Sequence, residues 1–236
     1  MHYQILTIFP EIFAGFTSSS LIGKAIASSS ISVKCVNIRD YAEAPHFKVD
    51  DTPYGGGAGM VMKPEPLTLA IADAKRAHPT AKVVLLAAAG ERFNQSRARE
   101  LSSADALILV CGRYEGIDQR VINNCVDHVF SIGDFVIMGG EVAAMALIEA
   151  TARLIPSVIG NQSSLDNESF GGTTDSEILL EAPQYTRPED FRGHKVPETL
   201  LSGDHARIAK WRASASLEIT TKYRPDLLRA RVEQKR

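Results

Sequence analysis

Four glycine-rich stretches hold the residues that could do chemistry in this 236-residue chain. Asp50–Met60 reads DDTPYGGGAGM, Ala87–Phe93 reads AAAGERF, Cys111–Gly116 reads CGRYEG and Ser131–Glu141 reads SIGDFVIMGGE. Glycines free the backbone for positive φ and for close approach to a ligand. Gly139 and Gly140 precede a long apolar-striped segment, where the first N–H groups of a helix lack partners and can face a ligand. None of the four is a GxGxxG or GxxxxGK[ST] loop, so no motif is present to cradle phosphates. Glu115 and Asp134 place carboxylates near the loops. Carboxylates repel phosphates and tolerate a cation such as a sulfonium. Convergent main-chain N–H and C=O groups suit a purine edge. This chemistry disfavours ATP and admits adenosylmethionine.

The elements that would position these loops alternate along the first 155 residues. Tyr3–Phe9, Ile31–Ile38, Lys82–Ala87, Ala106–Cys111 and Val126–Ile132 read as strands, from period-two alternation or short continuous apolar runs. Leu67–His78, Ser96–Ser103, a short helix ending over Val121–Cys125, and Gly140–Ile155 read as helices. Pro10 marks a further helix start and Pro156 stops the last one. Strand and helix in alternation give a parallel sheet wrapped by helices, with ligands outside the C-terminal strand ends. Ser157–Glu177 is rich in Ser, Asn, Gly and Thr and reads as a linker. His205–Thr220 is a helical run containing the single Trp.

Composition narrows the class. Hydrophobic residues at 44% and charged residues at 23% are ordinary for a soluble globular protein. No window approaches the roughly 18 apolar residues of a membrane helix, and the opening MHYQILTIFPEIF lacks a basic n-region, so neither a span nor a secretory signal is expected. Cys35, Cys111 and Cys125 show no CxxC spacing, which argues against zinc and a disulfide framework. They lie in apolar segments, where a reduced, buried thiol is the default. A cytoplasmic protein is expected. From Gln184 onward there are 12 Lys/Arg against 7 Asp/Glu, whereas residues 1–183 carry 14 against 21. A basic tail on an acidic body points to a polyanion partner.

Five stretches resemble the bacterial tRNA (guanine-N1)-methyltransferases that modify guanosine 37, of the knotted SPOUT class. They are VDDTPYGGGAGMVM (Val49–Met62), LVCGRYEGIDQRV (Leu109–Val121), SIGDFVIMGGE, PQYTRPEDF (Pro183–Phe191) and VPETLLSGDHARIAKWR (Val196–Arg212). The resemblance covers nearly the whole chain, with the motifs in order. It implies an α/β fold of SPOUT type: a parallel sheet with a C-terminal trefoil knot, plus a small helical C-terminal domain. The domains would be residues 1–156, a linker over 157–177 and a basic helical domain over 178–236.

The resemblance also implies S-adenosyl-L-methionine as methyl donor, held by Gly112, Tyr114, Glu115, Ile132, Gly133, Asp134, Phe135, Val136, Ile137, Gly139 and Gly140. The general base would be Glu168, with Asp166 as rival, and the guanidinium steadying the guanine would be Arg153. Glu168 stands where the family usually has Asp. Ala88 and Ala89, Phe135 and Ala143 also depart from the family's common Pro, Tyr and Pro. The anticodon arm of tRNA would meet Arg187, Lys210 and Arg212, with Lys222 and Arg224 as further candidates. A homodimer is implied. Magnesium is left open as an accessory ion, and no dedicated carboxylate cage for a metal is visible. Two alternatives are a doubly wound nucleotide-binding enzyme, which the missing phosphate motifs disfavour, and a non-catalytic RNA-binding module that binds adenosylmethionine without transferring its methyl group.

Overall fold

The computed structural model describes residues 1–160, 168–171 and 178–228. The chain divides into two compact units, Met1–Gly160 and Asn161–Arg236.

The first unit opens with β1 (His2–Thr7), a 3-10 turn at Pro10–Phe13, α1 (Ala14–Ser18), α2 (Ser20–Ala27) and β2 (Ser32–Asn37). A short hairpin, β3 (Asp50–Asp51) and β4 (Val61–Met62), leads to α3 (Pro64–Ala77). Then come β5 (Lys82–Arg92), α4 (Gln95–Ser102), β6 (Ala106–Cys111), α5 (Gln119–Cys125), β7 (His128–Ser131) and α6 (Glu141–Ala152). The main sheet has the order β2-β1-β6-β5-β7 and every pairing in it is parallel.

Side-chain alternation along the strands makes two cores. Tyr3, Ile5, Val84, Leu86, Leu107 and Leu109 pack on one face, with Ala144, Leu147 and Ile148 of α6. Leu6, Val83, Leu85, Ile108 and Val110 pack on the other, with Leu67, Ala70, Ile71 and Ala74 of α3. The central strand β6 is buried at all six residues, which is why ALILVC carries no polar side chain. The buried Tyr3 hydroxyl meets Thr151 Oγ1 at 2.8 Å and ties α6 to the sheet.

Two sequence readings change here. AAAGERF is not a loop after a finished strand: β5 continues to Arg92, with a register shift against β7 between Leu86 and Glu91. Gly90 lies where a Cβ would stand 2.6 Å from the Val129 and Phe130 backbone, so this glycine serves a close strand crossing. Of the three thiols only Cys111 is buried; Cys35 and Cys125 are half-exposed. The helix Ser20–Ala27 had no sequence reading, because serines surround its short apolar core.

The second unit holds a hairpin, β8 (Asp190–Phe191) and β9 (His194–Lys195), then α7 (Glu198–Leu201) and α8 (His205–Tyr223). Gly193 turns the hairpin at φ 85°, its N–H donating to Asp190 Oδ1 at 2.8 Å. Asp204 caps α8 by accepting from Arg207 N at 3.0 Å. Thr220 and Ser216 of α8 hold the Leu180 backbone through its N–H and its carbonyl. Thr220 is the one residue among those described in this unit that is fully buried.

Candidate functional site

A cavity of about 400 Å³ opens at the C-terminal ends of β5, β6 and β7. That is the size and place of a small-ligand site in a parallel sheet. Three chain segments form most of its lining, Leu85–Ala89, Gly112–Ile117 and Phe130–Gly140 except Asp134, joined by Gln119, Ile122 and Ala143. Most of its walls are backbone and apolar side chains, and Glu115 is the only carboxylate among its lining residues.

The post-β6 loop is bent by two residues at positive φ, Tyr114 at 60° and Gly116 at 138°. Neighbouring backbone pins it: Glu115 N donates to Met60 O at 3.0 Å and Met62 N donates to Gly116 O at 2.9 Å. Gly140 N donates to Gly112 O at 2.9 Å, which joins the two glycine loops directly. A Cβ on Gly140 would stand 2.7 Å from Cys111 Cα, and a Cβ on Gly139 would collide with the Arg113 guanidinium. At Gly140 backbone passes backbone, and at Gly139 the space is taken by the Arg113 side chain.

A buried ion pair braces this junction. The Glu141 side chain is 2% exposed and meets Arg113 Nη2 at 2.9 Å. Arg113 Nε donates to the same Oε2 at 2.9 Å, while Thr7 Oγ1 donates to Oε1 at 2.7 Å. The guanidinium also lies 4.7 Å over the Phe9 ring. One carboxylate thus links the end of β1, the post-β6 loop and the start of α6. Burial, then the Glu141 charge, push the Cys111 thiol well above its ordinary pKa, so it stays protonated and inert as a nucleophile.

The cavity brings together Gly112, Tyr114, Glu115, Ile132, Gly133, Phe135, Val136, Ile137, Gly139 and Gly140. Asp134 belongs to the same loop but is not in the lining. Arg153 is not brought to the cavity within this chain. It caps the far end of α6, about 18 Å from Glu141 by helix rise. The next residues, Leu154 and Ile155, line a shallow cleft with Met1, His2 and Asp105 at the N-terminal ends of β1 and β6. The bracing role of Glu141 was missed from sequence. Its signal was a lone charge at the head of the apolar run EVAAMAL.

A chain-length match with known proteins accompanies this geometry. Residues 1–230 match the family described as tRNA (Guanine-1)-methyltransferase TrmD. The chain belongs to this family. A protein of Anaeromyxobacter sp. (strain Fw109-5) named tRNA (guanine-N(1)-)-methyltransferase is 52% identical over 99% of this chain and 93% of its own. Proteins of the same name from Geobacter sulfurreducens and Myxococcus xanthus are 51% and 53% identical, covering 97% and 95% of this chain and 91% and 89% of theirs.

The second unit is described by itself. Glu168 is half-buried, with its carbonyl accepting from Gly171 N at 2.9 Å. Asp166 and most of the expected linker lie outside the described residues. Arg187 and Arg212 line a cavity of about 410 Å³ with Tyr185 and Glu189, and Tyr185 meets Trp211 edge-on at 6.3 Å. Lys210 is exposed on α8 outside that lining. Lys222 lies over the Tyr223 ring, and Arg224 pairs with Asp226. Among the described residues no group of three or more His, Cys, Asp or Glu could hold a metal, and no helix is long and apolar enough to cross a membrane.

Proposed function

We propose that this chain transfers a methyl group from S-adenosyl-L-methionine to N1 of guanosine 37 in tRNA, next to the anticodon. The observation that carries this reading is the backbone-walled cavity built from the glycine loops of a chain matched throughout to tRNA (guanine-N1)-methyltransferases. The cavity fits the donor. Its size suits a nucleoside, its backbone groups suit adenine, and Glu115 tolerates a sulfonium. Bound there, adenosylmethionine supplies an electrophilic methyl group on a cationic sulfur.

The chain's own residues must supply the rest. Neutral guanine carries a proton on N1 and has no free lone pair there. Glu168 accepts that proton, freeing the electron pair that forms the N1–carbon bond as the sulfur–carbon bond breaks. Negative charge then spreads toward O6, where the Arg153 guanidinium stabilises it. Within one chain α6 keeps Arg153 toward the N-terminal ends of the strands, so the guanidinium reaches a pocket from a second copy. This supports the homodimer in the proposal. Two close backbone crossings, Gly140 on Cys111 and Gly90 on Val129–Phe130, support the trefoil-knotted path. The second unit serves as the helical tRNA-holding domain, with Arg187, Lys210 and Arg212 on phosphates. The reaction takes place in the cytoplasm, and magnesium enters as an accessory ion with tRNA.

Incubation of the purified protein with labelled adenosylmethionine and unmodified tRNA tests the reading. The expected result is label on N1 of guanosine 37. Donor binding without label would leave the non-catalytic RNA-binding module in its place.

A further inference from the structure

The Asp50–Met60 stretch is the glycine motif that the pocket does not absorb: none of its residues lines the cavity. It is a loop carried by β3 and β4, whose base is bonded to the pocket wall at Glu115 and Gly116. Gly59 backs onto Glu115 so closely that a Cβ would collide with the carboxylate. Gly55, Gly56 and Gly57 differ: all have positive φ, and a Cβ on any of them would touch nothing. They shape the backbone without packing on anything. Beside them stands Tyr54, fully exposed. An aromatic ring wholly in water contributes no burial to folding.

Arg120 follows the lining residue Gln119 in the chain and has Tyr54 among its electrostatic neighbours. Asp118 binds its Nε at 2.9 Å and its Nη2 at 2.7 Å, and among the described residues Nη1 has no partner. The Asp118 carboxylate chiefly, and the neighbouring Tyr54 last, raise the affinity of Arg120 for its proton. An exposed ring and a fixed cation at a pocket rim match what unpaired nucleic acid needs: bases stack on aromatic rings, and phosphates pair with guanidinium groups.

We propose that Tyr54 and Arg120 form a nucleotide-docking edge beside the pocket, Tyr54 stacking on an unpaired base of the tRNA and Arg120 pairing with a phosphate. This rests on the function proposed above. The unhindered glycines let the ring adjust to the base it meets, and the bonds from Met60 and Met62 keep the edge in register with the pocket.

The test uses the full chain, unmodified tRNA and adenosylmethionine. Tyr54→Ala is expected to weaken tRNA affinity about 5- to 100-fold, the cost of one lost base stack, and to raise KM for tRNA. Tyr54→Phe should stay within about twofold, since the ring is kept. Donor affinity by calorimetry should be unchanged in both. Arg120→Gln should reduce the salt dependence of tRNA binding by about one phosphate contact. Three results would overturn the proposal: tRNA affinity unchanged in Tyr54→Ala; donor affinity falling with it, which would assign the loop to the pocket; or loss of self-association in sedimentation, which would make the ring a contact between copies. Wild-type methyl transfer is measured in the same series. Failure of the functional reading shows as no transfer by the wild type, and failure of the docking edge as wild-type tRNA binding by Tyr54→Ala.

Discussion

The two units of this chain are held together by different physics. Met1–Gly160 sandwiches a five-stranded parallel sheet between two apolar clusters, with central strands buried on both faces. The described part of Asn161–Arg236 buries one residue fully, Thr220, and is organised by a cap, a hairpin and a few hydrogen bonds to the Leu180 backbone. Exposed hydrogen bonds contribute only about 1 kcal/mol each, whereas a buried Leu contributes about 1.5–3 kcal/mol. The first unit therefore has the means to hold a precise pocket. The second has the composition of a surface. Charge divides inside the second unit instead. Residues 161–183 carry five acids and no base, while the residues after them hold 12 of the chain's 26 Lys/Arg.

The sharpest way to break this comparison is truncation after Gly160. The shortened chain is expected to stay folded and keep adenosylmethionine affinity, while tRNA affinity falls on the order of 100-fold as phosphate contacts are lost. Circular dichroism, calorimetry and tRNA binding check the three parts. A truncated chain that cannot fold would show that the first unit depends on the second.

The proposed catalytic carboxylate is a second point of attack. Glu168→Gln should slow single-turnover methyl transfer about 10²–10⁴-fold with donor and tRNA affinities kept, because an amide cannot accept the N1 proton. Asp166→Asn should be milder. The opposite ranking would move the base to Asp166.

Glu141→Ala tests the brace of the pocket. It leaves Arg113 without its partner and Thr7 without its acceptor, at a cost of about 3–5 kcal/mol in urea unfolding. Equal stability would mean that the ion pair does not hold the two glycine loops together.

The smallest effect comes from one deletion placed in each unit. Leu147→Ala, in the core under α6, should cost about 2–5 kcal/mol. Leu217→Ala, on the exposed face of α8, should stay within about 0.5 kcal/mol. A large loss at Leu217 would point to a covered surface in the functional assembly.

Much of the first unit was legible in the amino-acid order, because its parallel strands are short apolar runs and its helices carry one apolar stripe. ALILVC reads as a buried strand, and the glycine stretches after β6 and before α6 could be placed at strand ends. The loop after β6 and the loop before α6 were therefore readable as one site. What the order of residues left open was every feature decided by chain crossing at a distance. The glycines of AAAGERF and MGGE look alike in sequence. Only the folded chain shows that Gly90 clears the Phe130 backbone while Gly140 clears Cys111. The resemblance gives Arg153 a role on the guanine, and α6 begins at the pocket. The helix carries it away toward the N-terminal ends of the strands, since each residue adds about 1.5 Å of rise. Glu141 reads as a first-turn acid, and tertiary structure makes it the shared acceptor of Thr7 and Arg113, residues 134 and 28 positions away. Local pattern determines which segments form strands, helices and loops, because propensity and periodicity act over a few residues. Which backbone passes which, and which charge is buried beside which, is set only when the sheet closes.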